Sequence, residues 1–171
     1  MESLRKQCEE VQDYVVKTRR KLHQIPELGI NIPKTTEFIC NELDKMGIPY
    51  KVNTAELNGI KDTGIVGFIE GKNTDKVIAL RADMDALPIT ELSGEEFTCT
   101  SGNMHACGHD IHTAMLLTAA RMLKEDEDHL QGTVKLMFQN AEEVFKGANG
   151  MIEHGILDNP RPDAAMAYHM M

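Results

Sequence analysis

The sequence predicts an α/β domain built on a mixed, largely parallel sheet flanked by helices. Short β-branched runs alternate along the chain with stretches of helical periodicity, which is the pattern of helices covering a central sheet. Apolar residues make up 42% of the 171 residues, enough for one domain with a real core and too many for a disordered chain.

Apolar side chains at Leu4, Cys8, Val11, Val15, Leu22 and Ile25 predict a long amphipathic helix over residues 3–25, with Ser3 as its cap and Pro26 as its stop. A second helix is expected from Pro33 to Met46. Proline suits its first turn, Phe38, Ile39, Leu43 and Met46 share a face, and Gly47 can end it. "IPYKVN" follows as a short strand. "GIVGFIEG" and "KVIALRA" read as two strands joined by the polar turn "KNTD". Helical spacing returns over 110–124 through Ile111, Met115, Ala119, Met122 and Leu123. "GTVKLMF" is expected as a strand, "ANGMIEHGIL" as a short helix closing near Gly155, and "DAAMAYH" as a final strand after the loop "DNPRPD".

The net charge of −9 offers no basic face on which a phosphate backbone could release counterions, so nucleic acid is not an expected partner. The stretch "MESLRKQCEEVQDYVVKTRRKLHQ" is charged throughout and lacks the apolar core of a secretion signal. No segment approaches the roughly 18 apolar residues of a membrane span, and a cytoplasmic protein without membrane contact is expected. Cys8, Cys40, Cys99 and Cys107 show no disulfide-type spacing and are expected as free thiols, one of them a ligand.

Open α/β sheets place their chemistry at the carboxyl ends of strands, where loops vary over a rigid scaffold. After "KVIALRA" come Asp83 and Asp85, after "KLMFQNA" come Glu142 and Glu143, and after "AAMAY" comes His169. The stretch "MHACGHDIHTAM" adds Cys107 and His109 on either side of Gly108 in the loop before a helix. Thiolate, imidazole and carboxylate together describe a site for a borderline divalent ion such as Zn²⁺, Mn²⁺, Co²⁺ or Ni²⁺. Of two adjacent carboxylates at such a site, one can ligate while the other moves protons, a hydrolytic division of labour.

Each residue also has a plainer reading. A lone buried cysteine is usually a small hydrophobe, adjacent acids are usually a solvated surface, and loop aspartates such as Asp83 and Asp85 often satisfy local backbone donors. His105 and His112 are expected in supporting positions, with His112 in the first turn of a helix. His169 alone would be an ordinary partly buried histidine. His23, His129 and His154 are assigned to helices or their polar flanks without a function. "EDEDH" reads as a solvated helix end, and the eleven methionines as packing rather than a copper site.

"RRKLHQIPELG", "ALRADMDALPI", "MHACGHDIHTAMLL", "MFQNAEEVFKGANGMI" and "AYHM", in this order, resemble successive motifs of the aminoacylase and carboxypeptidase-type metallohydrolases. The branch they resemble most includes hippurate hydrolase, the indoleacetyl-amino-acid hydrolases and N-acetyldiaminopimelate deacetylase. The resemblance runs from about residue 19 to the last residue and implies a zinc-peptidase-like catalytic domain. It implies Cys107, His109, Glu143 and His169 as ligands of two divalent transition-metal ions, Glu142 as general base, and Asp83 or Asp85 as the group orienting a ligand. The implied reaction is hydrolysis of the amide bond of small N-acyl amino acids.

Asn140 stands where the family usually has proline, and Val144, Phe145 and Lys146 replace its usual glycine-rich run. Relatives of this kind are more than twice as long, with an inserted lid or dimerisation domain and a further histidine ligand in the later half. Residues 1–171 are therefore expected as the amino-terminal part of the catalytic domain. An uncovered sheet edge should favour homo-oligomers or association with a second polypeptide. Two other functions compete: a non-catalytic fragment acting as a structural or binding unit, and a cysteine hydrolase using Cys107 with a nearby histidine.

Overall fold

The computed structural model describes residues 2–53, 55–57, 59–73 and 75–170. The long first helix is split in two, α1 (Glu2–Glu10) and α2 (Gln12–His23), with a turn at Val11. Ser3 lies inside the backbone of α1, and the cap expected of its side chain lies outside the described residues. Helix α3 (Pro33–Met46) has proline in its first turn and ends on Gly47 in the left-handed conformation, as its sequence signals predict.

Strand β1 (Tyr50–Val52) leads to a small hairpin, β2 (Glu56–Leu57) with β3 (Ile60–Lys61), that the sequence reading did not anticipate. There follow β4 (Ile65–Glu70), β5 (Val77–Asp83), α4 (His109–Glu125), β6 (Thr133–Gln139), α5 (Gly147–Glu153) and β7 (Ala164–Ala167). The run "EDEDH" forms the end of α4 and a single 3₁₀ turn.

The main sheet has the order β1-β4-β6-β5-β7. The polar turn after β4 does not make a hairpin, because β6 inserts between β4 and β5, antiparallel to the first and parallel to the second. Strand β7 pairs in parallel with β5 and forms one edge, with its four residues exposed. The sheet is therefore mixed, and its parallel part is the trio β6, β5 and β7.

One face of the sheet carries the core. Ile65 and Ile69 of β4 and Val134, Leu136 and Phe138 of β6 pack against Ile39 and Leu43 of α3 and Leu116, Leu117 and Ala120 of α4. On the opposite face a buried lysine interrupts the β6 pattern. Lys135 Nζ donates to the carbonyls of Ile156, Asp158 and Pro160 at 2.7, 2.9 and 2.7 Å, so its charge is stabilised by the loop that leads into β7. Among the described residues no helix is long and apolar enough to cross a membrane.

Candidate metal centre

Because β6, β5 and β7 are parallel, their carboxyl ends lie on one rim of the sheet, and helix α4 starts at the same rim. Asp83 closes β5, Asp85 follows it, Glu142 and Glu143 follow β6, and His169 lies two residues beyond β7. His109 is the first residue of α4 rather than part of the preceding loop. Gly108 caps that helix at φ 84°, a left-handed angle that glycine adopts without strain.

Asp85 is fully buried and aligns three groups. Its carboxylate accepts the backbone N–H of Glu142 at 3.0 Å and of Glu143 at 3.2 Å, and its carbonyl accepts His109 Nδ1–H at 2.8 Å. With the proton on Nδ1, the His109 lone pair is on Nε2. This atom lies 3.5 Å from Asp83 Oδ2, 3.7 Å from Glu143 Oε1 and 3.8 Å from Glu142 Oε2. Both His109 Nε2 and Glu143 Oε1 are buried without a hydrogen-bond partner, a costly state for polar atoms unless something occupies the space between them.

Cys107 Sγ faces His169 Nε2 at 3.5 Å. Ligand atoms of Cys107, His109 and His169 lie within 4.8 Å of one another, and so do those of His109, Glu142 and Glu143. His109 belongs to both groups. The four residues that the resemblance assigns as ligands thus fall in two overlapping clusters, the second of which also contains Glu142.

The electrostatics are those of crowded acids. Burial, with the charges of Glu142 and Asp85, pushes the Glu143 carboxyl above its ordinary range despite the opposing His109. Burial and the charges of Glu143 and Glu142 push the Cys107 thiol up as well. For His109, burial acts downward but is outweighed by Asp85 and Asp83, which hold the ring above its usual value. Each shift disfavours the deprotonated state that a metal ligand needs, and each is reversed by a cation placed between the groups. A raised thiol is also the opposite of what a cysteine nucleophile requires.

The acidic loop turns without the glycine run. Ala141 and Phe145 are left-handed, at φ 49° and 56°. Phe145 N–H donates to the Glu142 carbonyl at 2.9 Å and Lys146 N–H to the Ala141 carbonyl at 3.1 Å. A side chain at Gly147 would sit 1.7 Å from the Asn140 carbonyl oxygen, so this glycine is obligatory. Asn140 is buried and donates to the Ile30 carbonyl at 2.6 Å and to Asp62 at 2.8 Å.

Sequence reasoning missed the support behind this rim. His23, expected on a solvated helix flank, is 2% exposed. Its Nδ1 lies 2.7 Å from Asp110 Oδ2 and its Nε2 lies 2.9 Å from Glu91 Oε1, and Arg19 Nε lies 2.8 Å from the same Asp110 oxygen. An apolar-periodic helix with a histidine near its end carries no local signal of such pairing. His112 is also fully engaged, its Nδ1 2.6 Å from Asp83 Oδ1.

Residues 79–171 match the sequence profile of peptidase family M20/M25/M40. The chain belongs to this family. It is 48% identical over 148 residues to the IAA-amino acid hydrolase ILR1-like 5 of Arabidopsis thaliana, a match covering 86% of this chain and 32% of that protein. It is 45% identical to the N-acetyl-L-cysteine deacetylase of Bacillus subtilis, covering 88% of this chain and 35% of that one. A dinuclear metal-binding peptidase of the M20 family from Bacillus subtilis, the YXEP protein, superimposes with a TM-score of 0.86 at 36% identity, covering 95% of this chain and 44% of that chain. This M20 chain therefore spans about a third of the length of these curated relatives, and its mixed sheet with flanking helices is the fold of the solved M20 structure.

Proposed function

We propose that residues 1–171 form the amino-terminal part of a metallohydrolase catalytic domain that cleaves the amide bond of N-acyl amino acids. The observation that carries this reading is the pair of buried, unpartnered atoms His109 Nε2 and Glu143 Oε1, set among Cys107, His169 and Glu142. The relatives support it, since the matched proteins include a hydrolase of IAA-amino acids and a deacetylase of N-acetyl-L-cysteine.

Cys107, His109, Glu143 and His169 would hold two divalent ions of the Zn, Mn, Co or Ni kind, a donor set of sulfur, nitrogen and oxygen suited to borderline metals. The ions would polarise the scissile carbonyl and make water acidic enough to attack near neutral pH. Glu142 is the more open acid of the pair, 33% exposed against 17% for Glu143. Glu142 takes a proton from water as the carbon–oxygen bond forms and delivers it to the amide nitrogen as the carbon–nitrogen bond breaks. The products are a carboxylic acid and an amino acid. Asp85 holds the backbone of both acids in place, and Asp83 braces His112 and lies beside His109.

Elemental analysis after purification without added metal tests this reading. The chain should retain metal, lose it in Cys107→Ala and His109→Ala, and keep it in Glu142→Gln. Metal content indifferent to Cys107 and His109 would overturn it.

The coverage of 32% and 35% of the curated relatives favours a second reading, in which the chain binds metal but does not turn over by itself. Hydrolysis of an N-acyl amino acid by the isolated chain with Mn²⁺ or Zn²⁺ would eliminate that alternative. The exposed edge strand β7, with Met166 at 45% exposure and Tyr168 just beyond it at 63%, supports pairing of two copies edge to edge. Light scattering should show a dimer, shifted to monomer by Met166→Lys; a monodisperse parent monomer removes this assembly.

A further inference from the structure

The segment that carries His169 is not held by the sheet, since β7 ends at Ala167 and the β5–β7 ladder ends with Arg81 opposite Ala167. What holds it is a histidine from α4. Met170 N–H donates to His112 Nε2 at 2.9 Å, and the rings of His112 and His169 meet edge to face with centroids 4.8 Å apart.

The other side of the His112 ring is fixed from β5. His112 Nδ1 lies 2.6 Å from Asp83 Oδ1, the adjacent Thr113 hydroxyl donates to the Asp83 carbonyl at 2.8 Å, and Arg81 Nη1 donates to Asp83 Oδ2 at 2.7 Å. A carboxylate opposite Nδ1 and a backbone N–H opposite Nε2 leave a single assignment: Nδ1 donates and Nε2 accepts. Every atom of this chain is buried or half-buried until it reaches Met170.

We infer that His112 is a positioning residue, which docks the Met170 backbone and thereby sets the approach of His169 to Cys107. The inference rests on the reading of His169 as a ligand, but the docking itself does not need a metal. The relay runs from Arg81 through Asp83 and His112 to the Met170 N–H. It gives β7, an edge strand with exposed side chains, a rigid terminus at the one place where the centre needs precision.

The test uses His112→Asn, whose amide near the former Nδ1 keeps a donor toward Asp83 but leaves nothing to accept from Met170. In the metal-free chain, hydrogen exchange at the Met170 amide should accelerate by roughly tenfold or more. Unchanged exchange overturns the docking. With Co²⁺ as the probe, His112→Asn should weaken binding by about 10–100-fold while the sulfur-to-cobalt band of Cys107 persists.

In a His169→Ala background the same substitution should change Co²⁺ affinity by less than about twofold, because a residue that acts through His169 has nothing left to position. Equal losses in both backgrounds would show a merely structural role. Met170→Pro deletes the N–H while leaving the His112–Asp83 pair untouched, and should reproduce the loss if His112→Asn does not fold. A parent chain that binds no Co²⁺ would sink the metal reading alone, and amide exchange would then decide the docking by itself.

Discussion

Two buried polar clusters flank the first turn of α4, and adjacent residues enter them: His109 joins one and Asp110 the other. Around Asp110 His23 and the two acids find partners, while Arg19 Nε and both ring nitrogens of the neighbouring His105 are buried without a hydrogen bond. Both ring nitrogens of His23 meet carboxylates, Arg19 pairs with Asp110, and Glu91 takes hydrogen bonds from the Ser93 hydroxyl and the Cys99 N–H at 2.5 and 2.9 Å. Around His109 the opposite holds. Carboxylates crowd together, burial and the neighbouring charges raise the Glu143 carboxyl, and the buried atoms His109 Nε2 and Glu143 Oε1 have no hydrogen-bond partner. A mostly paired network of this kind fixes structure, whereas converging unpartnered acceptors suit the ions proposed above.

The largest expected effect falls on the open cluster. On the function proposed above, Glu142→Gln should lower the rate of amide hydrolysis by about 10²–10⁴-fold without changing metal content, and a variant of near-parental rate would take Glu142 out of proton transfer. The closed cluster should answer in stability instead. His23→Ala removes the imidazole that bridges the buried Glu91 and Asp110 carboxylates, leaving Glu91 to Ser93 and Cys99 and Asp110 to Arg19, and should cost about 3–5 kcal/mol, read from urea unfolding. A loss below about 1 kcal/mol would mean that the network contributes little.

Acid should separate the groups by pH window. Burial pushes His105 down to about 4. Between about 6.5 and that value the unfolded chain binds a proton that the folded chain does not, so stability falls as pH falls. Glu91 is brought down to about 2, because the hydrogen bonds from Ser93, His23 and Cys99 outweigh the effect of its burial. Its stabilisation is present above about 4.3 and lost as pH falls toward that lower value. His105→Leu should flatten the upper window and Glu91→Gln the lower one; a urea midpoint with the same pH profile in both variants would contradict the assignment.

The smallest effect is expected where the same residue type sits outside both clusters. His129 is exposed and, among the described residues, pairs with Asp126 alone, 2.7 Å away on the same turn. His129→Ala should change stability by less than about 0.5 kcal/mol, and a loss comparable to that of His23→Ala would erase the contrast between buried and surface pairs.

Much of the fold was legible because its signals are local. Pro33 and Gly47 bound α3 by backbone preference, β-branched runs mark β4, β5 and β6, and parallel strand ends collect Asp83, Asp85, Glu142, Glu143 and His169. The placement of β6 between β4 and β5 was not legible, since polar turns of similar composition serve hairpins and crossovers alike. The roles of His23 and His112 were hidden for a related reason. His23 meets Asp110 across 87 residues of sequence, and Met170 meets His112 across 58, and nothing in a histidine's immediate neighbours reports so distant a partner.

By itself, the order of residues determined which elements form and which chemical groups their ends carry, because periodicity, capping and donor type are properties of a few consecutive side chains. Only the packed chain decided which groups neutralise one another and which stay bare. Whether a buried lone pair finds a donor depends on where strands separated by many residues come to rest, and that is settled by burial of the shared core.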